Sequence, residues 1–409
     1  MIRTKVLKSY ILLLFFGIVP SLTIGFLDAS SMALGLVTVL FLVLVFYINK
    51  LFFFKNISLF LFLFLFIVLI HSALLHVQLV FFDVKSYLSF FLLFFVLSMA
   101  FFVSKLIMFD DFDVYKSAAY VFWTLSFFAI LALLTNFKIG GFFNGYNSRS
   151  IFPFGEPSHF ALFFGPFIVL FIFQLSTFFG KLLLVFSVIF LSLLMESATL
   201  LIYGFLALLL FLRISVVGVL LVVPGLIFGV YIILSDPYFS SRFILSLSSD
   251  NLTALVYLQG LTEAYNALMS TSGLGLGFQM LGTQPPSEVA LNIQAIMGQG
   301  PNGSGLNRKD GGFVAAKLVA EFGVLGLILL VVYLKLFVNV FIKLRKLVRL
   351  SHGVSPAYVF GLVLIYVTFV ELFVRGVGYF SPSLFLFFVA LFIYSFNKRR
   401  GGYFAYNRR

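Results

Sequence analysis

Between Asn144 and Ala161 the chain reads NGYNSRSIFPFGEPSHFA, a polar break in an otherwise apolar sequence. Three side chains there can handle a proton or an anion: Arg149, Glu156 and His159. Glu156 and His159 are three residues apart and would share one face of a helix. Pro157 suits the first helical position, so the segment reads as a helix start with Arg149 just upstream. Such a start offers free backbone N–H groups and about half a positive charge. An arginine beside it adds a planar fork of donors matched to phosphate. The arrangement recurs twice. Asp310-Gly311-Gly312 opens an apolar run directly after Arg308 and Lys309, and Ser381-Pro382 opens another shortly after Arg375 and Tyr379. Arg242, early in a long polar segment, is a further cation that could join them. Together these groups form a site matched to phosphate. Glu156, His159 and Asp310 are the candidate catalytic groups that could move a proton there.

Plainer roles stand beside these. Asp310 can simply cap the helix that follows, and Arg308 and Lys309 can be solvated loop charges. Lys317 and Glu321, four apart, form a pair on one helix face. Glu371, four residues before Arg375, can neutralise it. His71 and His76 precede Asp83 but lack a further ligand cluster for a metal, and His352 lies in a basic loop. The reading therefore includes no metal and no cofactor.

The elements that must position these residues belong to a membrane. Hydrophobic residues make up 62% of the 409, mean hydropathy is +1.16 and only 10% are charged, well beyond a soluble domain. A crossing helix needs about 20 mostly apolar residues. Spans are predicted at about 9–26, 31–48, 57–74, 86–103, 117–134, 158–175, 182–195, 198–212, 214–234, 313–337, 356–374 and 381–396. The fold class is all-α and polytopic, with about 12 transmembrane helices in one integral domain over 1–409. Of the 27 Lys and Arg, nineteen fall on one side of this arrangement, which places both termini in the cytoplasm. The net charge of +13 is thus a topology signal rather than a nucleic-acid footprint. The 60 phenylalanines read as lipid-facing surface and core filler, and the absence of cysteine excludes disulfides and thiol chemistry. The N-terminal MIRTKVLK with its apolar run reads as a retained first helix rather than a cleaved signal.

The stretches 182–195 and 198–212 are short for a crossing and read as two short spans or a re-entrant pair meeting at Glu196-Ser197. A large non-cytoplasmic loop, 235–312, separates spans nine and ten. Within it, Leu255, Leu258, Leu261, Tyr265 and Leu268 recur at helical spacing after a possible N-cap, Asn251. That predicts an amphipathic helix lying over the bundle or on the membrane interface. The Gly-, Pro- and Asn-rich remainder reads as a mobile cover over a site. Gly273-Leu-Gly275-Leu-Gly277 lacks the spacing of a dinucleotide loop.

The segments FGEPSHFAL at 154–162, KDGGFVAAKLVAEFGVLG at 309–326 and ELFVRGVGYFSP at 371–382, with the Gly-rich end of the large loop, resemble the O-antigen polymerase (Wzy) family. The long loop before AEFGVLG also resembles the related O-antigen ligases. The resemblance covers nearly the whole chain in topology and about 40 residues in motif. It implies a glycosyltransferase of the bacterial inner membrane, with its active site facing the periplasm. The implied reaction transfers an undecaprenyl-pyrophosphate-linked glycan onto the non-reducing-end hydroxyl of another lipid-linked repeat unit. Donor and acceptor are both lipid-linked oligosaccharides, and a Wzz-type chain-length regulator is an implied partner. Arg149 and Arg242 correspond in placement to the family's essential loop arginines, and Arg308, Lys309, Arg375 and Tyr379 join them as substrate-binding residues. Where the ligases carry a histidine near the end of the loop, this chain has Asn302 and Asn307, which favours a polymerase. The alternatives are a ligase acting on lipid A core or a lipid-linked oligosaccharide flippase. A flippase would place cations deep in the bundle and show related halves.

Overall fold

The computed structural model describes residues 2–27, 31–56, 59–79, 84–109, 112–135, 150–212, 251–298, 306–349 and 355–399, with shorter stretches between 235 and 249. Among these residues the structure is helical, and the only extended pairing is an isolated bridge between Ile151 and Phe154. The helices are α1 (Ile2–Leu27), α2 (Ala33–Phe46), α3 (Leu59–Leu79), α4 (Val84–Met108), α5 (Val114–Leu134), α6 (Pro157–Ile172), α7 (Phe178–Leu194) and α8 (Ala198–Phe211). They continue with α9 (Pro237–Phe243), α10 (Leu252–Ser270), α11 (Glu288–Ile296), α12 (Val314–Arg349), α13 (Pro356–Phe373) and α14 (Pro382–Arg399). A 3₁₀ segment, Ile48–Asn56, follows α2.

Among the described residues, five helices are long and apolar enough to cross a membrane: α1, α4, α5, α12 and α13. Six shorter apolar helices accompany them there, from α2, α3, α6, α7, α8 and α14. The predicted span at 214–234 lies outside the described residues, as do Arg149, Asn302 and His352.

The bundle closes around α6 and α13, whose apolar residues are buried almost throughout, and around the inner face of α14. Lipid supplies little drive for apolar helices to associate, so close approach through small residues matters. Gly17 of α1 leaves room for the ring of Phe163, and Gly165 of α6 leaves room for Tyr203 of α8. A Cβ at either glycine would overlap the ring.

The polar layer beyond α9 is packed rather than a loose cover. Asn251 caps α10 as its spacing predicts, accepting hydrogen bonds from the N–H groups of Thr253 and Ala254 at 3.0 and 3.3 Å. The spaced apolar residues of α10 do not share one face. Ala254, Leu255, Val256, Gln259, Gly260, Glu263, Ala264 and Ala267 point inward, while Leu261 and Tyr265 are exposed. The inward side must pass against the start of α12, where Gly260 meets the Gly311 carbonyl with no space for a side chain.

The Gly-rich loop after α10 is fastened on three sides. Ser86 of α4 donates to the Phe278 carbonyl at 2.7 Å, and the Phe278 N–H donates to Ser72 of α3 at 3.3 Å. The third attachment is to α12, which is not one continuous rod. Gly323 has φ +57° and ψ −131°, so the helix breaks there. Gly273 to Gly277 enter the break. The N–H groups of Leu276 and Gly277 donate to the carbonyls of Ala320 and Glu321, each at 2.9 Å, and the Val324 N–H donates to the Gly273 carbonyl at 2.8 Å. The loop thereby satisfies backbone groups that the break releases, as an apolar setting requires.

Candidate functional site

The site forms where the starts of α6 and α12 meet the connection from α13 to α14. The Ile151–Phe154 turn is pinned by buried Ile151 and Phe154 and delivers Glu156 to the α6 N-cap position. Glu156 has extended backbone there but makes no side-chain capping bond. Its carboxylate instead accepts from the Ser158 hydroxyl at 2.9 Å and from Arg375 Nη2 at 3.1 Å. Nε2 of His159 lies 3.9 Å from the same oxygen. Burial alone would raise the Glu156 pKa. The charges of His159 and Arg375, with hydrogen bonds from Ser158 and Arg375, outweigh it and hold the group at about 2. The side chain is still 46% exposed, so the pair stands at the mouth of the site rather than within sealed protein.

The plainer role for Glu371, neutralising Arg375 one turn away, is not the arrangement adopted. Helix α13 ends at Phe373, so that register is lost, and the guanidinium crosses to Glu156. Glu371 is buried and accepts from Ser381 at 2.5 Å, while Ser381 in turn accepts the Leu384 N–H at the start of α14. The α14 start is therefore capped from within the chain and has a carboxylate beside it.

The start of α12 supplies the second half. Lys317 Nζ donates to the Lys309 carbonyl at 2.7 Å and to Gln279 Oε1 at 3.3 Å. It also lies 3.6 Å from Asp310 and 3.8 Å from Glu321, the latter being the predicted i,i+4 pair. It stands 5.2 Å from the ring centre of Tyr379, which stacks on Phe278. The Glu321 carboxylate accepts the Leu281 N–H at 3.3 Å. Burial, reinforced by the neighbouring Glu321, pushes the Tyr379 phenol well above its ordinary pKa, so it remains protonated. Its hydroxyl and the second oxygen of Glu321 are buried without a well-aligned hydrogen bond.

Asp310 joins the two halves. It pairs with Lys317 and lies within electrostatic reach of His159. Gly376 donates to the Gly312 carbonyl at 2.9 Å, and Gly378 has φ +87°. A Cβ on Gly378 would stand 2.9 Å from the Asp310 carboxylate, so the RGVGY backbone lies directly against that acid. The result is a line of ionisable groups: Arg375, Glu156, His159, Asp310, Lys317, Glu321. An apolar crevice opens beside His159, lined by Gly17, Met32, Phe154, Phe163 and Val377.

Of the residues singled out in the sequence, Glu156, His159, Asp310, Arg375 and Tyr379 share this neighbourhood. Arg308 contributes less directly: it lies 3.9 Å from Glu263 of α10 and donates to the Gln284 carbonyl, fastening the loop. Lys309 is exposed, and its backbone carbonyl holds Lys317. Arg242 lies on α9, which packs through Phe239 against α7 and α8. His71 bonds the Leu274 carbonyl, and among the described residues no three His, Asp or Glu side chains gather as metal ligands. Lys317 is the central residue that sequence reasoning placed on a helix face, where its i,i+4 spacing with Glu321 was the available signal. No local pattern connects it to Gln279, 38 positions away.

No family model, curated protein or solved structure matches this chain.

Proposed function

We propose that this chain is a polysaccharide polymerase of the O-antigen type in the bacterial inner membrane. In this reading its twelve spans leave both termini in the cytoplasm and the 235–312 loop in the periplasm. The substrates are two undecaprenyl-pyrophosphate-linked glycans. A hydroxyl at the non-reducing end of the acceptor attacks the anomeric carbon of the donor. The new carbon–oxygen bond forms as the bond to pyrophosphate breaks. The hydroxyl proton passes to the protein, and the pyrophosphate leaves with the bonding electrons.

The observation that carries this reading is the Arg375–Glu156–His159 cluster at the uncapped start of α6, with Asp310 alongside. Arg375 and the free α6 amides are suited to charge that develops on the departing pyrophosphate. A carboxylate held at about pKa 2 is a weak base, so Glu156 fits the task of orienting Arg375. The proton then falls to His159, with Asp310 steadying its charge. The exposed Lys309 side chain is available to the second phosphate, and a Wzz-type partner would set chain length.

The deciding experiment supplies purified protein in lipid vesicles with one lipid-linked repeat unit. A ladder of products and released undecaprenyl pyrophosphate support the proposal, provided Arg375→Ala removes both while remaining in the membrane. Reaction only when lipid A core is added indicates a ligase. Movement across the bilayer without bond formation indicates a flippase. Either outcome overturns the proposal.

A further inference from the structure

Helix α10 buries two polar side chains among small and apolar ones and exposes three large apolar ones. Gln259 and Glu263 on its buried side are each 2% exposed, whereas Leu261, Tyr265 and Met269 are 44%, 60% and 59% exposed. The three exposed residues are four apart and form one stripe along the helix. Glu263 has a reason to be there, since it accepts the Ser287 N–H at 3.1 Å and faces Arg308. The outward apolar stripe has no such internal reason.

The stripe continues past the helix end through exposed Leu274. The Leu274 carbonyl is bonded to His71 of α3 at 2.9 Å, and the preceding Gly273 carbonyl accepts the Val324 N–H of α12. Val324 is itself exposed and begins an outward apolar face on α12, while Leu74 does the same on α3. Both helices are apolar enough to sit in a bilayer. The stripe is thus continuous with surface that lipid must cover.

We propose that α10 is a monotopic membrane contact, with Leu261, Tyr265 and Met269 set into the interfacial zone of the bilayer. Tyrosine suits that depth because its ring is apolar and its hydroxyl polar. The sequence of α10 contains no Lys or Arg. The contact therefore rests on apolar burial and needs no anionic headgroup. Its effect is to hold the layer carrying Gln279, Asp310 and Lys317 at a fixed height above the acyl chains.

The test uses the full chain with its single tryptophan moved. Trp123, exposed on α5, is replaced in Trp123→Phe and a probe is introduced by Tyr265→Trp. The protein is reconstituted in dioleoyl phosphatidylcholine vesicles, with or without an analogue brominated high on its acyl chains. The expected result is blue-shifted emission that loses most of its intensity to the brominated lipid and little to aqueous iodide. Added salt or phosphatidylglycerol should leave this unchanged. Strong iodide quenching without bromine quenching overturns the proposal, because the stripe is then in water. Shielding from both agents also overturns it, and its loss on dilution into excess lipid would identify a second copy of this chain as the occupant. A requirement for phosphatidylglycerol overturns the apolar basis of the contact. Met269→Trp gives the same readout if Tyr265→Trp fails to fold. No step uses catalysis, so the outcome is independent of the proposed polymerase activity.

Discussion

Replacing Lys317 by methionine tests whether the centre of the site is held by charge. The lysine side chain is 3% exposed and Glu321 beside it is 0% exposed. Lys317→Met removes the 2.7 and 3.3 Å hydrogen bonds and both ion contacts. Asp310 is 35% exposed and can recover water, but Glu321 is left with the backbone N–H groups of Gln279 and Leu281 and the Tyr379 hydroxyl, and with no cation. Leaving one member of a buried pair uncompensated costs about 3–5 kcal/mol. Glu321→Gln alone leaves Lys317 with Asp310, Gln279 and the Lys309 carbonyl, so a smaller loss of about 1–3 kcal/mol is expected. The double variant no longer buries a lone carboxylate and should fall short of the summed losses by about 1–3 kcal/mol. Unfolding in mixed micelles titrated with dodecyl sulfate, followed by circular dichroism, gives the four stabilities of the cycle. Losses that add to within about 0.5 kcal/mol would refute the claim that Lys317 and Glu321 act as a pair.

Gly323→Ala should destabilise the protein by about 1–3 kcal/mol, because φ is +57° and the added methyl meets the Gly273 carbonyl; faster proteolysis within 273–284 is the matching readout. Asn251→Ala removes the α10 cap and should cost about 1 kcal/mol in the same unfolding assay. The Glu156 carboxylate, depressed to about 2, contributes its full pairing with Arg375 above the ordinary carboxylate value of about 4.3 and loses it as pH falls through about 2. An activity loss between neutrality and about pH 5 must therefore arise elsewhere, and Glu156→Gln should retain it; a pH–rate profile of that variant that lacks the limb would contradict this.

Most helices were legible because a bilayer demands long apolar runs, and the ends at Pro157, Asn251, Pro356 and Pro382 follow local capping and proline rules. The Lys317–Glu321 pair was legible for the same local reason. What escaped is non-local. Arg375 and Glu156 are 219 positions apart, and nothing in either segment names the other. No local signal marks Gly323 as a break, and only the loop entering from Gly273 to Gly277 gives its backbone a reason to turn. The leucine spacing of α10 marks an amphipathic helix but does not say which face is buried. The need to seat Glu263 and to pass Gly260 against Gly311 decides that. The contribution of Arg149 falls outside the described residues.

The break in α12 also divides the protein mechanically. The nine residues before Gly323 carry Lys317 and Glu321, and their backbone is tied to the loop layer as well as to the rest of α12. Val324, the first residue of the long lower shaft, is fastened to the same loop through the Gly273 carbonyl. A lean of the shaft, under bilayer thinning or a neighbouring complex, would therefore pull on the layer that holds the charged groups rather than pass beneath it.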